Sequence, residues 1–216
     1  MLNNRRRREA EQSAPFNVEA WSPLTELGKK VKAHEVTSIE QIFSMGKKIE
    51  ETEIVDALLP NIKNEVIEIA SVQRMTKNSR KQKFRVTAIV GDSNGHVGVG
   101  SGKDAEVKAA IESAVKDAKK NVIPLLLGCG SWQCNCGTQH SIPFAVKGRS
   151  GGVDVVLKPA PRGTGVVASA PIKKMLVLAG VKDIWSSSRG HTKARYNTLM
   201  AVYNAIQNML SMKNIE

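Results

Sequence analysis

The sequence predicts an α+β protein of two domains. Three observations carry that reading: a strand, turn, strand and helix succession between Phe84 and Lys120; a glycine- and cysteine-rich stretch without period, Gly128 to Gly137; and a second set of strands and helices from Ile142 to Leu210. The boundaries are an N-terminal arm and extension over 1–62, a first domain over 63–127, a Gly/Cys-rich linker over 128–141 and a C-terminal α/β domain over 142–216. A chain of 216 residues is long enough for a core in each domain.

The first 20 residues hold Arg5 to Arg8, scattered charge and no apolar period, and read as an arm. Thr37-Ser38-Ile39-Glu40 has the form of a capping box, Thr37 opening a short helix and Glu40 reaching back; the helix should stop near Gly46. Glu53 to Leu59 is a second helical piece, ended by Pro60. Val66 to Gln73 reads as a strand, and Arg74 to Lys83 as a basic loop. In the next strand Phe84, Val86, Ala88 and Val90 fall on one face, Asp92 to Gly95 turns the chain, and Val97 and Val99 continue inward on the way back. Val107, Ala110, Ile111, Ala114 and Ala118 then recur at helical spacing, so an amphipathic helix covers a three-stranded antiparallel sheet.

In the C-terminal half, Ile142 to Lys147 and Val153 to Lys158 read as strands separated by Gly148 to Gly152. Pro159 to Gly165 is a stiff loop. A helix follows, with Pro171 in its first turn, Ile172, Met175, Leu176 and Ala179 on one face and Gly180 as its stop. Asp183 to Trp185 reads as a further strand. The last helix should present Tyr196, Leu199, Tyr203, Ile206 and Leu210 inward.

Charge narrows the function. Lys and Arg number 32 against 20 acidic residues, a formal charge of +12, which favours polyanionic partners: nucleic acid or an anionic membrane face. No apolar run approaches the roughly 20 residues that span a bilayer, and Met1 to Arg8 lacks a signal peptide's apolar core. The expectation is a cytoplasmic protein without membrane contact. Aromatics make up only 4%, too few for a single-strand binder built on stacking, so contacts with phosphate and groove are expected instead. The candidate contacts are Arg74, Lys77, Arg80, Lys81, Lys83, Lys103, Lys147, Arg149, Arg162, Arg189, His191, Lys193 and Arg195, placed by this reading at strand and helix ends.

Gly98-Val99-Gly100-Ser101-Gly102-Lys103 invites a nucleotide-binding reading and fails it. A P-loop needs Gly five residues before Gly102 and Ser or Thr after Lys103, where this chain has Val97 and Asp104. The glycines instead let the chain lie close to another backbone, RNA being a candidate. The three cysteines, odd in number and clustered, make a poor disulfide framework. Cys129, Cys134, Cys136 and His140 could complete a tetrahedral zinc site, or could sit in a plain loop as reduced thiols; both readings stand. A catalytic Cys–His pair is disfavoured because no Asp or Glu neighbours it in sequence.

The glycine-rich run carries more than a failed motif. Phe84 to Val107, with Phe84-Arg85-Val86-Thr87, Gly98 to Lys103 and Glu106-Val107 in place, closely resembles the signature of the small-subunit ribosomal protein S-five family. Pro159 to Gly165 and Leu178 to Asp183 look like that family's second-domain signature. Ile54 to Pro60 and Val72 to Thr76 match its archaeal and eukaryotic branch, and Gly128 to Pro143 looks archaeal. The resemblance implies a first domain similar to a double-stranded-RNA-binding fold and a second α/β sandwich of a type shared with some ATPases and kinases, a likeness of fold without catalysis. It implies a structural role in the small subunit, on rRNA near the decoding region and the point where mRNA enters, with an effect on decoding accuracy. It further implies ribosomal proteins S-three, S-four and S-eight as neighbours, mRNA in its channel as a partner, a reach of the Met75 to Lys83 loop toward the head–body junction, and no required cofactor. A free-standing double-stranded-RNA-binding regulator is the competing reading; it would need neither the second domain nor the archaeal-type extension.

Overall fold

The computed structural model describes residues 21–134 and 136–212; the Arg5 to Arg8 run lies outside them. The chain divides after Asn61 into two compact units. The first holds three short helices, α1 (Glu26–Lys32), α2 (Ile39–Ser44) and α3 (Thr52–Leu58), with Leu27, Val31, Ile42, Ile54 and Val55 buried. Helix α2 starts one residue later than the capping pattern predicts. Ser38 is the N-cap, which makes Gln41 the third helical residue, and Gln41 Oε1 rather than Glu40 accepts the Thr37 N–H at 3.2 Å.

The second unit, from Ile62 onward, is α+β and contains two four-stranded sheets. Strands β1 (Lys63–Met75), β2 (Arg80–Gly91), β3 (His96–Asp104) and β4 (Val122–Pro124) form an antiparallel sheet in that order, with α4 (Val107–Lys120) on one face. Strands β5 (Val146–Ser150), β6 (Val153–Pro159), β8 (Ile184–Gly190) and β7 (Val166–Val167) form the other in the order β5-β6-β8-β7, carrying α5 (Ala170–Leu178) and α6 (Arg195–Ser211). Strand β4 has only three residues, too few to show alternation in the sequence.

Three expectations change with the register. Val97 pairs with Gly91 and Val99 with Ile89, and directly opposed residues share a face, so both valines point away from Val86, Ala88 and Val90. The residues opposite Ala88 and Val90 are Gly100 and Gly98. These glycines do approach a backbone, but it is that of α4: a Cβ on Gly98 would lie 2.2 Å from the Ala118 carbonyl oxygen, one on Gly100 2.1 Å from the Ala118 nitrogen, and one on Gly102 2.5 Å from the Ala110 carbonyl oxygen. Helix α6 is turned relative to its predicted face, burying Leu199, Val202, Ile206 and Met209 while Leu210 is exposed. Ala201 and Ala205 lie against Gly148 of β5, where a Cβ would be 2.1 Å from the Ala201 carbonyl oxygen, so the small residues set the helix's rotation.

Near the β2–β3 turn, the face of the first sheet away from α4 is buried as well. Ile89, Val97, Val99 and Leu125 join Val155, Leu157, Met175, Leu176, Ile184 and Ile206 in one core. The β2–β3 turn is fastened to the end of α5: the Ser93 N–H donates to the Leu178 carbonyl at 2.8 Å and the Gly95 N–H to the Ala179 carbonyl at 3.0 Å. These are carbonyls that a helix end leaves without partners. Gly180, at φ +89°, ends the helix there as predicted.

The glycine contacts make a stability prediction. Gly100→Val should destabilise the second unit by at least about 2 kcal/mol, because the side chain has no room short of moving α4. Gly152→Ala, with nothing within 4 Å of the added carbon, should stay within about 0.5 kcal/mol of the parent. Urea unfolding of both variants checks this, and equal midpoints would refute the packing account.

Candidate RNA interface and metal centre

What the sequence suggests is a basic loop is a two-stranded ribbon. Strands β1 and β2 stay paired to Met75 and Arg80, leaving only Thr76 to Ser79 as the turn, closed by the Thr76 N–H on the Ser79 carbonyl at 2.9 Å. Because β3 stops pairing at Asp104, opposite Phe84, the ribbon runs on past the sheet. At about 3.4 Å per residue the four β2 residues beyond that point extend roughly 14 Å. No acidic residue occurs from Ile69 to Lys83.

Alternation sorts the cations by face. Lys81 and Lys83 lie on the side of β2 opposite the α4-facing Phe84 and Val86, and their register partners are Arg74 and Val72. Arg85 continues the row and pairs with Lys103 on β3. Arg74, Lys81, Lys83, Arg85 and Lys103 thus occupy one face, and all are exposed except the half-buried Arg85. Arg80 lies on the other face, and Lys77 is in the turn. Arg85 is absent from the sequence-based candidates, although the spacing Lys81, Lys83, Arg85 at every second residue is the signal that marks it.

The remaining candidates lie on the second sheet and its connections. Lys147 and Arg149 alternate on β5 with the inward Val146 and Gly148, and Arg189 lies across β6 from Arg149, with Asp154 as register partner to both. All three are in strands, Arg149 and Arg189 each one residue from a strand end, and face outward because α6 covers the other side. Arg149 Nε is 3.4 Å from the Asp154 carboxylate, an exposed pair that holds little energy. Exposed Lys158 and Trp185, register partners on β6 and β8, join this outer face. His191, Lys193 and Arg195 lead into α6 and are exposed, so the positive side chains of Lys193 and Arg195 sit at a helix start, where they oppose the helix dipole unless an anion is present. Arg162 is exposed on the loop after β6.

The cysteines and His140 do come together. Their ligand atoms all lie within 4.8 Å of one another. The Cys129 and Cys136 sulfurs are 3.5 Å apart, and His140 Nε2 is 3.3 Å from the Cys129 sulfur and 3.8 Å from that of Cys134. Tetrahedral zinc with bonds of about 2.3 Å to sulfur and about 2.0 Å to nitrogen requires sulfurs about 3.8 Å apart and sulfur–nitrogen distances of about 3.5 Å. The donor set fits. The segment is anchored at its base by paired hydrogen bonds between Gly128 and Ser141, 2.8 and 2.9 Å. An acid absent from the neighbouring sequence arrives through the fold: buried Asp183 places Oδ2 2.9 Å from His140 Nδ1. With Nδ1 turned to the carboxylate, Nε2 is the ring nitrogen that faces the sulfurs. Three sulfurs gathered around one nitrogen have the composition of a metal-ligand set.

Comparison with known proteins separates these regions. Residues 62–125 match the family profile of the ribosomal protein S5 N-terminal domain, and residues 148–216 that of the ribosomal protein S5 C-terminal domain. The chain is 46% identical over 199 residues to the small ribosomal subunit protein uS5 of Metallosphaera sedula, covering 92% of this chain and 93% of that protein. To the protein of the same name from Aeropyrum pernix it is 48% identical over 197 residues, with 91% and 90% covered, and to that of Methanococcus maripaludis strain S2 47% over 194, with 90% and 86% covered.

The cysteine cluster falls between the two profiles, and its thiols differ in acidity. The Thr138 hydroxyl, donating to the Cys136 sulfur at 3.2 Å, and contacts with Cys134 hold the Cys136 thiol down at about 6, whereas burial and the Cys136 contact push that of Cys129 up. In chelator-treated protein at pH 7, iodoacetamide should therefore label Cys136 before Cys129. The Cys136 rate should fall as the pH drops through 6, where the thiolate is lost. Peptide mass mapping reads the order, and faster labelling of Cys129 would contradict it.

Proposed function

The chain belongs to the ribosomal protein S5 family, and from that premise we propose that it is a structural, non-catalytic component of the small ribosomal subunit that binds rRNA. The row Arg74, Lys81, Lys83, Arg85 and Lys103 on one open sheet face carries this reading. Cations spaced along a ribbon without acidic residues match a phosphate backbone, and each phosphate neutralised releases counterions. The outer face of the second sheet, with Lys147, Arg149 and Arg189, adds a second set. Lys77, Arg80, Arg162, His191, Lys193 and Arg195 extend both toward backbone contacts. Folded RNA is recognised largely by shape and phosphate position, which suits rigid sheets better than mobile arms.

Within the subunit, the reading places the ribbon near the decoding region and the point where mRNA enters, with ribosomal proteins S-three, S-four and S-eight as neighbours, in the cytoplasm. Decoding accuracy would depend on the ribbon through the rRNA it holds. Cys129, Cys134, Cys136 and His140 would hold one structural zinc; the spacing of their ligand atoms and the single buried histidine partner support it. Bound zinc would fasten a segment without strand or helix of its own among the described residues.

Three measurements test the reading. Affinity for folded small-subunit rRNA fragments should fall steeply with salt, each phosphate contact adding roughly 0.7 to 0.9 to the log–log slope. Arg74→Ala/Lys81→Ala/Lys83→Ala should lower that slope by about 2 to 3 and raise misreading in a reconstituted translation assay, with thermal stability nearly unchanged; a wild-type slope and wild-type accuracy would remove the ribbon from the interface. Metal analysis of the purified protein should find one zinc per chain, lost in Cys134→Ser/Cys136→Ser. Equal zinc in the two proteins rules the site out.

A further inference from the structure

Asp183 uses both carboxylate oxygens, and each joins it to a different segment. Oδ2 lies 2.9 Å from His140 Nδ1. Oδ1 accepts the backbone N–H of Gly163 at 3.0 Å and of Gly165 at 2.8 Å. The same short stretch also grips the histidine's main chain, since the N–H groups of Lys182 and Asp183 both donate to the His140 carbonyl at 3.0 Å. We propose that Asp183 couples metal occupancy at the cysteine cluster to the conformation of the Pro161–Gly165 loop, and so to the placement of Arg162. The inference rests on the zinc reading above and adds to it an outer carboxylate and a consequence.

The loop has little else to hold it. Gly163 and Gly165 have φ of +91° and +72°, and nothing lies within 4 Å of where a Cβ would stand on either. Its remaining bonds are the Thr164 N–H and hydroxyl to the Pro161 carbonyl, and the Ile184 N–H to the Gly165 carbonyl. Two N–H groups aimed at one buried carboxylate oxygen therefore fix the turn on which Arg162 is exposed. A cation bound at Nε2 makes the Nδ1–H a stronger donor and fixes the ring, as outer carboxylates do for metal-bound histidines. Without the cation the ring loses its bond at Nε2 and donates more weakly from Nδ1, so the carboxylate that holds the two glycine N–H groups is less firmly oriented.

The experiment uses the full chain and reads two quantities independently: zinc content by mass spectrometry, and amide hydrogen exchange at Gly163 and Gly165 by NMR. Removing zinc from the wild-type protein with a chelator should speed exchange at both glycines at least tenfold, while the amides of Val86 to Val90 stay unchanged and show that the core is intact. Asp183→Asn keeps an oxygen for the glycine N–H groups but presents an NH2 to the ring. That forces the proton onto Nε2, so zinc affinity, measured by competition with a chromophoric chelator, should fall by about 10- to 100-fold. Zinc that comes and goes without changing exchange at Gly163 and Gly165 overturns the coupling and leaves the metal site standing. Wild-type zinc affinity in Asp183→Asn overturns the role of the carboxylate. A wild-type protein that takes up no zinc overturns both, and the metal measurement alone identifies that case.

Discussion

In the second unit, strand and helix backbones meet with no Cβ between them, and the positions of the other elements follow from those contacts. Gly98, Gly100 and Gly102 let β3 lie against Ala110, Ala114 and Ala118 of α4, and Gly148 lets β5 lie against Ala201 and Ala205 of α6. The bulky side chains are thereby turned elsewhere. On β3 they are Val97 and Val99, which leave the α4 side and enter the core shared with the second sheet. Small-residue contacts of this kind bury less apolar area than leucines would, but they fix distance and rotation closely, since steric overlap rises steeply within a few tenths of an ångström.

Because of that arrangement, a single face of the first sheet serves two ends. Toward Ile89 and Val99 it is apolar and buried; toward Lys81 and Lys83 it is cationic and open. Period-two alternation produces both, with the identity of every second residue changing along one strand from Lys81, Lys83 and Arg85 to Thr87 and Ile89. The buried end anchors the cationic end, so the charges are held in a row without carboxylate partners among the described residues.

The kinds of element were legible in the sequence, because alternation and helical spacing are local properties. The side on which Val97 and Val99 fall was not, since it depends on the pairing register across the Asp92 to Gly95 turn. The basic segment between Arg74 and Lys83 lacks apolar alternation and so reads as a loop, although backbone pairing carries the strands through it. The rotation of α6 was hidden because two alanines, not its tyrosines, make the closest approach. At the cysteine cluster the donors were legible from composition, and their geometry agrees with that reading. Asp183 was not, being 43 residues from His140 and brought to it only by the start of β8.

The hydrogen bonds from Ser93 and Gly95 to the last carbonyls of α5 have a mechanical meaning. They clamp the β2–β3 turn, the end of β2 remote from the ribbon, to a helix of the other sheet beside the core that both sheets share, and the ribbon projects from the opposite end of β2 as a cantilever. A load applied at Thr76 to Ser79 has a path out of the first sheet through those two hydrogen bonds. It reaches α5 as torque, and from there the strands on which Arg149 and Arg189 sit, so that whatever grips the tip and whatever grips the far sheet feel each other's displacement through a stiff lever.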